Sequence, residues 1–542
     1  LNLSKKNLYI FAIAFLTIGI YFNTFKNAFQ FDDIIHILKN DKIKYLSNIP
    51  EILTEFLSRP LLFAAFTLNY YVSGTSTAGY HAVNILLHIG VSVLIYLMLL
   101  DTIGIYKKAD SNHSPAIPFL AALIFAIHPI NTESVTYIIS RSSILSAFFC
   151  LLSLLMFIKA VKREGIMTKT AFYFLSLLSF VFALGSKEDA VMLPIIALFY
   201  YLFFIAPVKT YNFNKNLKII LFFIIIISLY PLVRYFKFGI IGTGEASGIY
   251  TPFTYLLTEF NVIIFYYLKL LFLPINLNVD PDIRPIISLI NLSTLTAIAI
   301  ISLLGIAVFK SFKKDTILSF SIVWFLIALA PTSTIFPLWD AAAEHRVYLS
   351  AIGFSIFLAR LISKIRIKNV YIVPSLLVII LLSFSLCTIK RNFIWKDRVS
   401  LWEDAVGKSP SKARPHAALG LAYNEEKGLI EEAIRQYRIA LGIKPLYFDA
   451  LNNLGIALDM KGDMDGAMQN YKLALIIKPN SPELYNNIGI IYAKKGERER
   501  AIEEFKRALN LAPNYIEARR NIEMVIKDIA NLKGSTSVDR YR

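Results

Sequence analysis

Apolar residues in this chain fall in blocks too long for a soluble core. A block of about 18 residues with almost no charge reads as a membrane span, since about 20 helical residues cross the hydrocarbon layer. Candidate segments run roughly over 8–25, 82–100, 116–128, 135–158, 171–184, 189–206, 217–236, 255–273, 288–309, 316–335, 346–362 and 369–388. Composition agrees: mean hydropathy is +0.56, and only 17% of the 542 residues are charged, too few to hydrate the surface of a soluble protein of this length. The run 8–25 follows Lys5-Lys6 but no small-residue cleavage site follows it, so it is expected to be a first span and not a cleaved leader. Cys150 and Cys387 sit in separate apolar segments, which argues against a structural disulfide, a CxxC metal site or a catalytic thiol.

The net charge of +18 points to a membrane and not to nucleic acid, because most of the surplus lies in short loops between apolar blocks. Those loops are Lys5-Lys6, Lys107-Lys108, Lys159 to Lys169, Lys209 to Lys218, Lys310 to Lys314 and Lys364 to Lys368. Through the seventh segment they alternate as the positive-inside rule requires, with the N-terminus cytoplasmic. If 255–273 also crossed, the last two basic loops would fall outside. If it is re-entrant, or packed along the outer face, all six fall inside. Omitting the short segments 116–128 or 171–184 instead misplaces more basic loops. The expectation is therefore eleven spans in a cell inner membrane, with everything after the last span extracytoplasmic.

Beyond about Arg391 the pattern becomes soluble, and small residues recur at fixed spacing. Pro410, Pro445, Pro479 and Pro513 are 35, 34 and 34 residues apart; Gly420, Gly455 and Gly489 keep this step, as do Ala433, Ala467 and Ala501. Tyr437, Tyr471 and Phe505 fill the next large position, and Ala440, Ala474 and Ala508 the next small one. This is the tetratricopeptide repeat (TPR), in which small residues let two antiparallel helices approach and a proline ends the second. The fold class is thus all-α: a polytopic membrane bundle over 1–390, then an α-solenoid over 391–532. Its parts are a half repeat at 395–410, repeats at 411–445, 446–479 and 480–513, a capping helix at 514–532, and a flexible tail at 533–542. Such arrays bind peptides or proteins and rarely perform chemistry, so any reaction belongs to the membrane part.

With the sides assigned, ionisable residues outside the basic loops gather on the outer face. Charge near membrane depth is costly and marks function by default. Phe31-Asp32-Asp33 follows the first span; adjacent carboxylates can supply a general base, hold a metal or simply be solvated. The same loop carries Arg59-Pro60-Leu61 and Asn69-Tyr70, then leads through Tyr80-His81 to Asn84 and His88. The second outer loop is His128-Pro129-Ile130-Asn131-Thr132-Glu133, with Arg141 two turns into the next span, deep for a snorkelling side chain. Ser186-Lys187-Glu188-Asp189, Asn278-Val279-Asp280-Pro281-Asp282, and Trp339-Asp340 to Glu344-His345-Arg346 complete the set. Each has a bland reading; Lys187 and Glu188 can neutralise each other, and His345 can be an interfacial histidine. No Gly-rich phosphate loop, HExxH, GxSxG or kinase set appears.

These motifs, in this order, resemble the transmembrane and TPR-containing O-mannosyltransferases and their bacterial relatives. The resemblance rests on the Asp32-Asp33 pair, Arg59-Pro60-Leu61, Tyr80-His81-Ala82-Val83-Asn84, His128-Pro129 with Thr132-Glu133, Lys187-Glu188, Leu277-Asn278-Val279-Asp280, Glu344-His345-Arg346 with Tyr348-Leu349, and Arg391-Asn392 with Trp395. It spans about residues 25–530. It implies a GT-C glycosyltransferase that moves a sugar, on the extracytoplasmic side, from a polyprenyl-phosphate carrier to an acceptor hydroxyl. It also implies that the carboxylate after span one is catalytic. An inverting transfer needs a base and positive charge for the departing phosphate. Asp32 or Asp33 supplies the base, the sequence not separating them. Arg346, His345, Lys187 and Arg59 face the lipid phosphate, and Glu133, Glu188 and Asp280 position sugar hydroxyls or orient those cations. His128, Arg141 and Glu344 complete the substrate-binding set. A divalent cation at Asp32/Asp33 is compatible with the pair, but no ligand set demands one. Expected partners are the lipid-linked sugar, membrane lipids, and a protein or peptide acceptor on the TPR face. The alternative is a non-enzymatic TPR scaffold for an export or polysaccharide-assembly complex, in which the outer carboxylates are dispensable. A transporter fits less well, because no inverted repeat is visible.

Overall fold

Inside hydrocarbon every backbone N–H and C=O must be bonded within its own segment or a closed barrel, so uncharged blocks of this length fold as helices. The computed structural model describes residues 3–56, 58–106, 116–207, 250–334, 336–365 and 372–538, and among these there is helix and no strand. The expected span 217–236 and the basic loops Lys107-Lys108 and Lys209 to Lys218 lie outside the described residues, as do residues 366–368 of the last basic loop. The chain divides into two compact units, Leu1–Asp397 and Arg398–Arg542.

The first unit is that of a multi-pass membrane protein. Among the described residues, nine helices are long and apolar enough to cross: Lys5–Lys26, Thr77–Ile105, Ile138–Lys162, Ile166–Leu184, Glu188–Ile205, Pro252–Phe272, Leu292–Ser311, Glu344–Lys364 and Ile372–Ile394. The block 116–128 joins Pro129–Thr136 across a 51° bend. Pro129 cannot continue the preceding ladder, and the His128 ring caps the next turn by accepting from the Ile130 N–H at 3.2 Å. The block 316–335 is helical only over Thr316–Leu329. Its polar continuation, Pro331-Thr332-Ser333, ends the helix.

Helix Arg141–Lys162 is the packing centre, and nearly all of its first three turns are buried. It meets Ile166–Leu184 through reciprocal hydroxyl bonds: Ser153 donates to the Ser176 carbonyl at 2.7 Å, and Ser176 to the Ser153 carbonyl at 2.8 Å. Small hydroxyl residues bring helices close and satisfy themselves without water. At Gly353 a Cβ would stand 2.6 Å from the Ser321 carbonyl and 2.8 Å from the Phe325 nitrogen, so the helix Glu344–Lys364 and Thr316–Leu329 approach backbone to backbone there. Elsewhere large apolar side chains such as Leu303, Ile306 and Phe309 remain exposed, as hydrocarbon-facing surfaces do. Cys150 and Cys387 are both free thiols.

The second unit is a run of helices, Arg398–Lys408, Ala413–Ala422, Ile430–Ile443, Phe448–Lys461, Met464–Ile477, Pro482–Lys494, Arg498–Leu511 and Ile516–Val538. The repeating glycine is explained by contact: a Cβ on Gly455 would lie 2.4 Å from the Tyr471 ring, and one on Gly489 2.6 Å from the Phe505 ring. The turn inside each pair also needs glycine, because Gly428, Gly462 and Gly496 have φ of 62°, 92° and 79°. The last helix runs past residue 532 to Val538. Residues 533–538, expected as tail, continue its ladder, and 539–542 lie outside the described residues.

Candidate functional site

The turn after the first span carries backbone strain. Phe31 has φ of 39°, a left-handed conformation that a bulky residue adopts only when its surroundings impose it. Its ring lies edge-on to Tyr137 at 5.6 Å, and the Asp32 N–H donates to the Tyr137 hydroxyl at 3.3 Å. The two aspartates differ sharply. Asp32 is exposed. Asp33 is buried; its Oδ2 accepts from the Gln30 N–H at 3.0 Å and its Oδ1 from the Ile139 N–H at 2.8 Å. Burial pushes the Asp33 carboxyl up to about 7, against the pull of these backbone hydrogen bonds. The turn is further tied to the segment after the last span, where Gln30 donates to the Trp395 carbonyl at 3.3 Å and the Ala28 N–H to the Lys396 carbonyl at 2.9 Å.

The buried stretch from Thr132 to Ser146 is the hub on which distant motifs converge. Glu133 Oε1 meets His345 Nδ1 at 2.5 Å, while its Oε2 has no hydrogen-bond partner among the described residues. Tyr137 stacks on Trp395 at 5.6 Å, and the Arg391 guanidinium lies over the Trp395 ring, 5.9 Å from its centroid. Arg391 pairs with the buried Glu344 at 3.6 Å, and Glu344 Oε1 accepts from the Asn278 N–H. Ser143 accepts from Lys187 Nζ at 2.8 Å, and Ser146 donates to Asp189 at 2.6 Å. Lys187 and Asp189 stand 3.5 Å apart. Burial lowers the Lys187 amine, with Asp189 opposing the shift and Arg59 adding to it. Arg59 faces Glu188 at 3.7 Å. Arg346 donates to the Asp340 carbonyl at 2.7 Å and stays half-buried.

Three expected site residues are placed differently. His128 is buried with both ring nitrogens on backbone, Nε2 reaching the Leu271 carbonyl at 2.9 Å, which makes it a clamp between segments. Arg141 is fully buried and does not snorkel. Its Nε donates to Asn84 Oδ1 and its Nη2 to Asn69 Oδ1, both at 2.7 Å, and Nη2 also to the Tyr80 carbonyl at 3.1 Å. The Phe66 ring lies 4.8 Å from the guanidinium. The motif Tyr80 to Asn84 therefore builds a cradle for Arg141. Asp280 is buried in a turn, its N–H donating to Asn278 Oδ1 at 3.1 Å.

Several members had no place in the expected site. Arg391 and Trp395 carried only the family resemblance, yet they pack into the membrane unit. Asp189 pairs with Lys187, while Glu188 faces Arg59. Glu259, hidden in the apolar block 255–273, is buried, and neither of its oxygens has a hydrogen-bond partner among the described residues. A lone carboxylate in such a block was itself the available signal. Among the described residues no group of three or more His, Cys, Asp or Glu is arranged to hold a metal ion.

Comparison with known proteins bears out the resemblance read from the motifs. A TPR repeat family matches residues 460–496 and the tetratricopeptide repeat family residues 482–515. A Caenorhabditis elegans protein O-mannosyl-transferase is 27% identical over 402 residues, covering 72% of this chain and 54% of that protein. Human protein O-mannosyl-transferase TMTC1 is 27% identical over 462 residues, covering 73% and 49%. Human TMTC4 is 28% identical over 423 residues, covering 70% and 57%. The chain spans about half the length of the curated relatives it matches. Its homologues are thus named protein O-mannosyl-transferases, and the chain itself carries tetratricopeptide repeats.

Proposed function

We propose that this chain is a membrane glycosyltransferase that moves a sugar, mannose or a near relative, from a polyprenyl-phosphate carrier to an acceptor hydroxyl on protein. The observation that carries the reading is the hub at Thr132–Ser146, where a strained acidic turn meets a carboxylate–histidine pair and a buried lysine drawn from remote parts of the sequence. In this reading the site and the TPR array are extracytoplasmic and the N-terminus cytoplasmic, the arrangement that the loop charges favour.

Asp32 is the base. It is the exposed member of the pair, so its carboxylate can reach an acceptor hydroxyl, while Asp33 spends both oxygens on holding the turn. Asp32 takes the hydroxyl proton as the acceptor oxygen bonds to the anomeric carbon; the bond from that carbon to the phosphate oxygen breaks, and the configuration inverts. The departing lipid phosphate gains charge as it leaves. Lys187, Arg346 and Arg59, with His345 as a donor, supply the compensating field in a site largely closed to water. Glu133 accepts from sugar hydroxyls, and Glu188 orients Arg59. Glu344 and Asp280 fix the wall from which Arg346 projects, and Arg141 holds the loop that leads into the second span.

The lipid tail has a matching surface. A cavity of about 130 Å³ is lined by Leu268, Phe272, Ile322, Phe325, Phe354 and Phe357 among other apolar side chains, with Ser321 its one polar lining residue. Phe354 lies eight residues beyond Arg346 on the same helical run, roughly 12 Å at helical rise. The TPR unit binds the acceptor, raising its effective concentration on that side of the membrane.

The test is transfer of radiolabelled mannose from polyprenyl phosphate to an acceptor protein by the purified full chain. Asp32→Asn is expected to lower the rate by on the order of 10²–10⁴-fold, the range general-base catalysis contributes. Full activity in that variant overturns the assignment.

A further inference from the structure

Glu259 lies in the middle of the apolar helix Pro252–Phe272 and is 1% exposed. Buried carboxylates ordinarily have ion-pair or hydrogen-bond partners, since an unpaired one is strongly disfavoured. Here the hydroxyls of Ser333 and Tyr255 stand close enough to act on it, and neither oxygen forms a hydrogen bond of ordinary geometry among the described residues. Tyr255, one turn earlier on the helix, turns its hydroxyl to the Thr332 carbonyl at 2.8 Å. Arg346 is near enough to feel the Glu259 charge, but it donates to the Asp340 carbonyl.

The surroundings connect Glu259 to the hub. Two turns along the same helix Tyr267 binds Ala343 twice, donating to its carbonyl at 3.3 Å and accepting from its N–H at 3.1 Å. Ala343 precedes Glu344-His345-Arg346, and His345 bonds Glu133, whose second oxygen also has no hydrogen-bond partner among the described residues. Between Glu259 and Tyr267 the backbone widens into a π-helical stretch, Val262–Leu268, a distortion that recurs at functional sites.

We propose that Glu259 is a sugar-recognition residue, its carboxylate accepting hydrogen bonds from hydroxyls of the transferred sugar on the side opposite Glu133. This rests on the glycosyl-transfer reading above. A neutral polyol fits the chemistry: it brings several O–H donors to carboxylate oxygens that form no hydrogen bond of ordinary geometry among the described residues, and a carboxylate repels phosphate. The phosphate then lies toward Lys187 and Arg59, where cations gather, and the sugar toward Glu259 and Glu133.

The experiment measures equilibrium binding to the full chain in nanodiscs of two lipids, polyprenyl phosphate mannose and the same polyprenyl phosphate without sugar. Wild type is expected to bind the sugar-bearing lipid more tightly. Glu259→Gln is expected to weaken that lipid by about tenfold or more, the scale of one charge-assisted hydrogen bond, and to leave the sugar-free lipid unchanged. The sugar-free lipid also reports that the variant is folded. Unchanged discrimination in Glu259→Gln and in Glu259→Ala overturns the assignment and leaves glycosyl transfer standing. Equal loss of both lipids gives Glu259 a structural role and overturns it too. A wild type that does not distinguish the two lipids overturns the donor reading, and this inference with it.

Discussion

At the scale of single residues the account turns on the difference between Asp32 and Asp33. Protonating Asp33 puts a hydroxyl where the Gln30 or Ile139 N–H now finds an acceptor, which loosens the turn that presents Asp32. Because burial raises its pKa to about 7, the proton is taken up as pH falls through neutrality. Activity is therefore expected to drop as pH falls through about 7 and to level at the rate of Asp33→Asn. That variant should be slower by about 10²-fold, as misplacement of a catalytic group by about 1 Å costs, and its own profile should lack this limb. A kcat/KM profile of both proteins checks this; an unchanged limb in Asp33→Asn contradicts it. The pair itself was legible in the sequence, as were Glu133, Lys187 and the Glu344–Arg346 run, because charge beside a span is rare. Which aspartate is buried was not, since that is decided by backbone donors at Gln30 and Ile139, over a hundred residues apart. Arg141 and His128 were visible as anomalies, but their partners Asn84, Asn69 and Leu271 come from other segments.

Elements were easier to read than contacts, because a span declares itself by length and a repeat by period. The reading faltered where a helix stops for a local reason, at Leu329 before Pro331 and at the bend around Pro129. Asp315 shows what local reading leaves out. It caps Thr316–Leu329, accepting from the Leu318 N–H at 3.3 Å, and also receives Arg360 at 2.9 and 3.1 Å and Lys364 from a later helix. Burial alone would raise its carboxyl, but the hydrogen bonds from Lys364 and Arg360 outweigh it and hold the group below its ordinary value. Asp315→Ala is expected to cost about 3 kcal/mol, from an uncompensated cation and a lost cap, measurable as a shift in detergent-induced unfolding. In the repeats, Gly455→Ala forces a methyl against the Tyr471 ring and is expected to cost about 1–3 kcal/mol. Pairing it with Tyr471→Leu should recover part of the loss. Protease half-life of the repeat region in the full chain reads both, and an unaffected Gly455→Ala would contradict the packing argument.

Across the whole molecule, the distribution of lysine and arginine proposes which side each part occupies. A reporter fused after Ser409 is expected to be accessible from outside the cytoplasm; labelling only from the cytoplasmic side would contradict the eleven-span arrangement. Length and composition do not decide whether Pro252–Phe272 crosses, since it passes both tests, so this reporter carries that question. The central claim is that the acidic turn and the hub beneath it transfer a lipid-linked sugar. It is tested most directly by reconstituting the full chain in liposomes with polyprenyl phosphate mannose and an acceptor protein, and counting mannose on the protein. The account predicts mannosylated acceptor with wild type and a loss on the order of 10²-fold or more with Asp32→Asn. Equal product from Asp32→Asn, or no transfer by wild type from the lipid-linked donor, would contradict it.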